Sequence, residues 1–397
     1  MCLRFNNLHV LYLITFFSAL YFYHPIATLY YQARGLSFIE INSLWAVIVG
    51  VMAFSEVPTG IIADKIGRKL SICIALFLQL VGEAIYMVAD SYWMFVAVAV
   101  VAGVGFSFSS GCFEAMMYDS LKEQKRENDM QKVSGFNGAL SQSAVISGSL
   151  IGGYLARDLA LDSFVLLIAM TVASVAMALF VSFFLKEPKL EYAYTEESPI
   201  KLFKSGICQI WSNKSLRRIV LLSLLVTPFS DYLLTLYQPY FIQNGVSGVW
   251  FGVALAGASF LAIFASKYAY ILEKRLGVRG ATLLSTVLPG IFYLLMLFSV
   301  PAWLAISLFV ICYASMSLQA PIFADYKNRH IDSDNRATAL SIISMFSGIY
   351  VAIMGIVIGA LADRELNYAF LFMGGVIVCS ALLVRIKDNH VDTNYSH

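Results

Sequence analysis

Gly60-Ile61-Ile62-Ala63-Asp64-Lys65-Ile66-Gly67-Arg68-Lys69 is a charged turn set between two long apolar runs, near 39–62 and 70–89. Each run is long enough to cross a bilayer as a helix, which takes about 20 mostly apolar residues. The turn has its own physical logic. Gly60 admits close backbone approach and Gly67 permits a tight turn. Asp64 can brace a neighbouring helix end, while Arg68 and Lys69 hold the loop on the basic, cytoplasmic side.

The rest of the chain repeats this alternation. Of 397 residues, 59% are hydrophobic and 13% are charged, against nearly half and about a quarter in soluble domains. Mean hydropathy is +0.75. A water-soluble chain of this length could not hide so much apolar surface, so lipid is the expected solvent. Further apolar runs lie near 8–31, 92–117, 133–156 and 163–185, then near 218–242, 248–268, 280–299, 301–322, 337–361 and 367–386. The expected fold is all-α and polytopic, with twelve transmembrane helices in two pseudo-symmetric six-helix bundles over 1–185 and 218–397. The run near 8–31 is too long for a signal-peptide core and reads as a retained first span.

Between the halves, 186–217 is the longest polar stretch. Ile200, Phe203, Ile207, Ile210 and Trp211 recur there at helical spacing among lysines, as in an amphipathic surface helix or a solvated linker with one apolar face. With both termini placed in the cytoplasm, only Arg34, Arg157 and Arg364 of the 27 Lys and Arg fall outside. That bias satisfies the positive-inside rule. The six cysteines show no short-range pairing, which argues against a disulfide framework or metal site.

The two halves also match each other. Gly67 and Gly277 stand 210 residues apart, Asp119 and Asp325 206, and Gly153 and Gly359 206. Duplicated halves are characteristic of transporters that bind substrate at the repeat interface.

The segment Gly60 to Lys69 resembles the loop motif G-x-x-x-D-x-x-G-R-K of the major facilitator superfamily, between the second and third helices as in that family. The resemblance implies a gate made by Gly60, Asp64, Gly67, Arg68 and Lys69, with Asp119 beside it. It also implies a cavity lined by helices one, four, seven and ten, and kinship with bacterial drug and metabolite exporters of the cytoplasmic membrane. Ala144-x-x-x-Gly148-Ser149-x-x-Gly152-Gly153 resembles the family's antiporter motif, with Ala for the first Gly and Ser for the Pro. Small residues at this spacing also serve close helix packing in lipid. A third motif keeps Gly103 and Gly105, but Ala99 occupies the position of its proton-linked arginine.

Ionisable groups inside a bilayer are expensive and mark functional candidates. Asp231 lies 13 residues beyond Arg218, roughly 20 Å along a helix, with Thr235 and Gln238 on its face. A carboxyl there can load and release a proton, or be satisfied structurally by a neighbouring helix. Glu114 shares a face with Ser107 and Ser110 and can bind substrate, carry a proton or brace the gate. Glu83 reads as a structurally paired carboxyl or one close to the outer interface, and Glu56 as part of the gate. His24 precedes Pro25, with Tyr21 and Thr28 nearby. It can relay protons or satisfy backbone groups freed by the proline. Ser315 and Gln319 share a face and can bond a substrate or another helix.

No P-loop, nucleophile elbow, HExxH or zinc-ligand spacing is present, and the basic residues are scattered over short loops rather than gathered into a nucleic-acid surface. The expected function is secondary active transport by alternating access, as a monomer in the lipid bilayer and without a cofactor. The expected cargo is a small amphipathic or drug-like organic compound, exported in exchange for protons. The alternative is a proton-coupled symporter importing a nutrient or siderophore-like metabolite. A receptor or enzyme on the same fold would need an extra domain or a catalytic cluster.

Overall fold

In a computed structural model, residues 6–188, 207, 211–331 and 336–384 are described. The expected amphipathic helix within 186–217 falls mostly outside these residues. Among them the regular structure is helical throughout, as lipid requires of a chain that must satisfy its backbone groups internally.

Among the described residues, nine stretches are long and apolar enough to cross a membrane. One of them, Val249–Leu295, bends at Gly277 and supplies two spans, the eighth and ninth. The first span, which is broken, and the fifth, Met130–Leu155, bring the total to twelve. The other spans begin with Phe38–Ile66, Arg68–Val88 and Tyr92–Glu123, the second to fourth, and Leu161–Ser182, the sixth. Leu216–Gln243 and Ala302–Lys327 belong to the seventh and tenth. Arg336–Arg364 and Leu366–Leu383 are the eleventh and twelfth.

Gly67 and Gly277 share one backbone conformation, φ 88° and ψ 166° against φ 69° and ψ 170°. L-residues rarely enter that region, so the tight-turn role expected of Gly67 holds in both halves. The repeat extends to helix interruptions that the hydropathy pattern does not show. The first span is non-helical from Leu20 to Tyr23 and the fourth breaks at Ser110 and Gly111. The seventh breaks at Thr227 and Pro228, and the tenth at Ser317 and Leu318. Thr227 lies 206 residues beyond Tyr21, and Ser317 206 beyond Gly111.

The chain divides into two compact units, the first holding the first six spans together with Ser247–Ala256, and the second holding Gly257 onward and the segment up to Val246. In the first unit, sixth-span hydroxyls satisfy the broken first span. Phe22 N–H donates to Thr171 Oγ1 at 3.1 Å and Ser174 Oγ donates to the Phe17 carbonyl at 2.8 Å. In the second unit, the Tyr293 hydroxyl reaches the Phe229 carbonyl at 2.6 Å, and the Tyr232 hydroxyl bonds the Val351 carbonyl. At each of these two breaks, polar side chains of neighbouring spans meet backbone groups that would otherwise be costly in lipid. These groups are the Phe22 N–H and Phe17 carbonyl in the first unit and the Phe229 carbonyl in the second.

Candidate functional site

The charged turn is tied to the far end of its own bundle. Gly67 ends the second span and the third starts at Arg68, so the first N–H groups of that helix lack intrahelical partners. Glu187, just past the sixth span, supplies them. Its two carboxylate oxygens accept from Arg68 N–H and Lys69 N–H, both at 2.7 Å. Lys69 Nζ donates to the Phe183 carbonyl at 2.9 Å. The Arg68 guanidinium pairs with Asp119, whose side chain is 4% exposed. Asp119 thus stands against the loop, paired with Arg68.

Asp64 does not brace a helix end here. Its side chain is exposed and makes no hydrogen bond or ion pair among the described residues. At Gly60 nothing lies within 4 Å of where a Cβ would stand, so close approach is not what that glycine provides in this structure. The constraint falls on Gly67 alone, where an added Cβ would lie 2.9 Å from the Glu187 carboxyl carbon.

At the break of the first span, His24 opens a short 3-10 turn with Pro25. Its ring stacks on Tyr21 at 4.8 Å and 2°. The Tyr21 hydroxyl accepts from Gln79 Nε2 at 2.7 Å, and the same amide nitrogen donates to the Ser18 carbonyl at 3.1 Å. One turn along the third span, Glu83 accepts from the Tyr23 hydroxyl, 3.1 Å from each carboxylate oxygen. The pairing expected of Glu83 is therefore made to Tyr23. The fifth-span glycines close over the same break, since a Cβ on Gly148 would lie 2.8 Å from the Tyr21 carbonyl oxygen and one on Gly152 would overlap that of Phe22.

On the fourth span, Gly111 turns the chain at φ 73° and a new helix begins at Cys112. The face expected to join Glu114 to Ser107 and Ser110 is therefore interrupted. Ser107 is buried and donates to the Gly103 carbonyl at 3.0 Å, whereas Glu114 is exposed. Gly103 and Gly105 pack against the second and third spans, with Val51 and Leu78 as neighbours.

Asp231 stands in the first turn of the helix that resumes after Pro228. It is exposed, and its carboxylate has no hydrogen bond or ion pair among the described residues. Thr235, one turn on, is half-buried. Gln238 departs from the expectation. At 1% exposure it is packed away, so it does not continue an open face with Asp231. Gln319 is 1% exposed too, and its Nε2 donates to the Ser285 carbonyl at 2.9 Å. Ser315 donates to the Cys312 carbonyl at 2.7 Å. Gln319 thus bonds another helix, the second of the two roles open to it, whereas Ser315 bonds the backbone of its own helix.

Sequence reasoning missed Glu187, Tyr23 and Gln79. In the sequence Glu187 belongs to a polar linker, although a carboxylate just past an apolar run is a candidate cap for a neighbouring helix. Gln79 and Glu83 are four residues apart, and that spacing could have marked one polar face on an otherwise apolar span.

Twelve spans, duplicated halves and a charged turn pinned between the second and third define a membrane transporter of the facilitator type. Residues 10–349 match the Major Facilitator Superfamily, and the chain belongs to it. It is a multi-pass membrane transporter and not an enzyme. Over 379 residues it is 24% identical to the uncharacterized MFS-type transporter YxaM of Bacillus subtilis, spanning 92% of this chain and 93% of that one. It is 23% identical over 374 residues to the quinolone resistance protein NorA of Staphylococcus aureus, with 92% of each chain covered. A solved point mutant of the nucleoside transporter NupG superposes with a TM-score of 0.80 at 13% identity, over 96% of this chain and 99% of that one. A D-xylose–proton symporter gives 0.73 at 13% identity, over 95% of each chain. At such identities the likenesses to solved structures concern the fold.

Proposed function

We propose that this transporter exports small amphipathic organic compounds in exchange for protons, working as a monomer with both termini in the cytoplasm of a bacterial cell. The observation that carries the reading is Asp231, an intramembrane carboxylate at a helix break, open and without a hydrogen-bond or ion-pair partner among the described residues. A lone carboxylate at that depth is costly unless it takes up a proton or a cationic ligand, and exchange between the two is the elementary step of antiport. The likeness to NorA supports export, and the distribution of Lys and Arg supports the orientation. Glu114, exposed beside the fourth-span break, is a second carboxylate for cargo. His24 and Tyr21 belong to the first-span break that would move with the cavity, and Thr235 adds a hydroxyl beside Asp231. In this reading Gly60, Asp64, Gly67, Arg68, Lys69 and Asp119 form the cytoplasmic gate.

A second reading, proton-coupled uptake of a nutrient or metabolite, is favoured by Ser149. It replaces the proline of the antiporter motif, and it is fully buried. One experiment separates the two. The purified protein in proteoliposomes is given an imposed pH gradient and a panel of lipophilic cations, fluoroquinolones, nucleosides and sugars. Cargo movement opposite to proton flow supports export, movement with it supports uptake, and indifference to the gradient removes proton coupling.

A further inference from the structure

Glu83 is a second intramembrane carboxylate, and its setting is the reverse of that of Asp231. It lies 15 residues beyond Arg68 on the third span, roughly 22 Å along the helix, and is 9% exposed. The Tyr23 hydroxyl is shared between its two oxygens. From the first span, Tyr21, His24, Tyr30 and Tyr31 stand around the same cluster. From its own span come Gln79 and Tyr86, and from the fourth span Phe95. From the sixth, Thr171 secures the neighbouring backbone. Arg34, the nearby cation, lies over the Tyr30 ring at 5.2 Å. No Lys or Arg forms an ion pair with Glu83 among the described residues.

An ionised carboxylate in lipid with no counter-ion, bonded only by the phenols of Tyr23 and Tyr21, is under-compensated. The smallest change that relieves it is the binding of a proton. A metal ion would need several more oxygen ligands than one carboxylate and two phenols supply. Proton binding would also reverse the local bond, because a protonated carboxyl can donate to Tyr23 Oη where the ionised form can only accept. Tyr23 is the last residue of the non-helical segment in the first span. Four residues before Glu83, Gln79 holds the Ser18 carbonyl and the Tyr21 hydroxyl, the first just before that segment and the second within it.

We propose that Glu83 is a proton-binding residue of the first unit, linked through Tyr23 to the break in the first span. Its state would be sensed where the helix is already discontinuous, by exchange of donor and acceptor across one hydrogen bond. The inference deepens the proton-coupled reading, but its test needs neither cargo nor gradient. A failure of either therefore leaves the other standing.

The test is pH-difference infrared spectroscopy on the full-length protein in lipid nanodiscs, following the C=O stretch of protonated carboxyl groups. A band that appears and disappears with pH is expected in the wild type. It should shift when the protein is made with carboxyl-13C glutamate, vanish in Glu83→Gln, and survive in Asp231→Asn. In Tyr23→Phe the band should move to higher frequency, because one of the two phenols bonded to the carboxyl is gone. A purely structural carboxyl would stay in one state across the accessible range. Wild-type spectra with no titrating glutamate band overturn the assignment, with no variant needed. A band that persists in Glu83→Gln, or is unmoved in Tyr23→Phe, overturns it as well.

Discussion

The carboxylate of Glu187 closes directly on Gly67, so that a Cβ at the glycine would stand 2.9 Å from the carboxyl carbon. The same carboxylate accepts from the two backbone N–H groups that follow. A positive φ of 88° already excludes most side chains, and the occupied space excludes the rest. Gly67→Ala should therefore cost more than Gly277→Ala, where φ is 69° but nothing lies within 4 Å. Backbone strain alone is worth about 1–3 kcal/mol, and the displaced Glu187 cap about 1 kcal/mol more. Thermal melts of the two variants in one detergent would check the order. Equal melting temperatures would mean that the cap contributes nothing.

The Arg68–Asp119 pair is lopsided, with side chains 21% and 4% exposed. Removing the arginine strands a buried carboxylate, whereas removing the aspartate leaves a guanidinium that can reach water. Arg68→Ala is expected to destabilise by roughly 3 kcal/mol, and Asp119→Ala by less. The double variant Arg68→Ala/Asp119→Ala should recover much of the loss. A double-mutant cycle by thermal denaturation measures the coupling. Strict additivity would show that the pair is not energetically linked.

The fifth span carries its own internal control. A methyl group on Gly152 would overlap the Phe22 carbonyl oxygen, and one on Gly148 would come 2.8 Å from that of Tyr21. Gly138, on the same helix, has open space around it. Gly152→Ala should therefore destabilise by about 1–3 kcal/mol through overpacking. Gly138→Ala should be neutral or gain up to about 1 kcal/mol from helix propensity. The comparison reads the glycines as packing devices of the first-span break, and a destabilised Gly138→Ala would remove that reading.

Hydropathy reported the spans because lipid imposes a length and a composition on each helix. The turn glycines were legible for a similar reason, since Gly67 and Gly277 meet one local backbone demand at equivalent places. The breaks were half visible. His24-Pro25 and Pro228 announce two of them and Gly111 a third, but nothing about Ser317 and Leu318 marks the fourth, which is recognisable only through its partner 206 residues earlier. Roles that depend on a distant partner were the least legible. Glu187 acts on Arg68 across 119 residues, and no local pattern encodes that distance. Gln319 and Asp231 look alike as polar residues in apolar runs, yet one faces the Ser285 carbonyl and the other open space.

That last contrast can be tested by function. If Asp231 exchanges protons for cargo, Asp231→Asn keeps its shape and loses its titration. Gradient-driven transport should then fall to the background of empty liposomes, while exchange of labelled for unlabelled cargo without a gradient continues. Gln319→Leu should behave in the opposite way. It removes the donor to Ser285 and should cost about 1 kcal/mol of stability, with the cargo KM unchanged because the amide is already committed to a helix carbonyl. Initial-rate measurements on both variants in the same liposomes, with and without the gradient, decide the matter. Full gradient-driven transport by Asp231→Asn would assign the coupling to another carboxylate, and a raised KM in Gln319→Leu would return that residue to the cargo site.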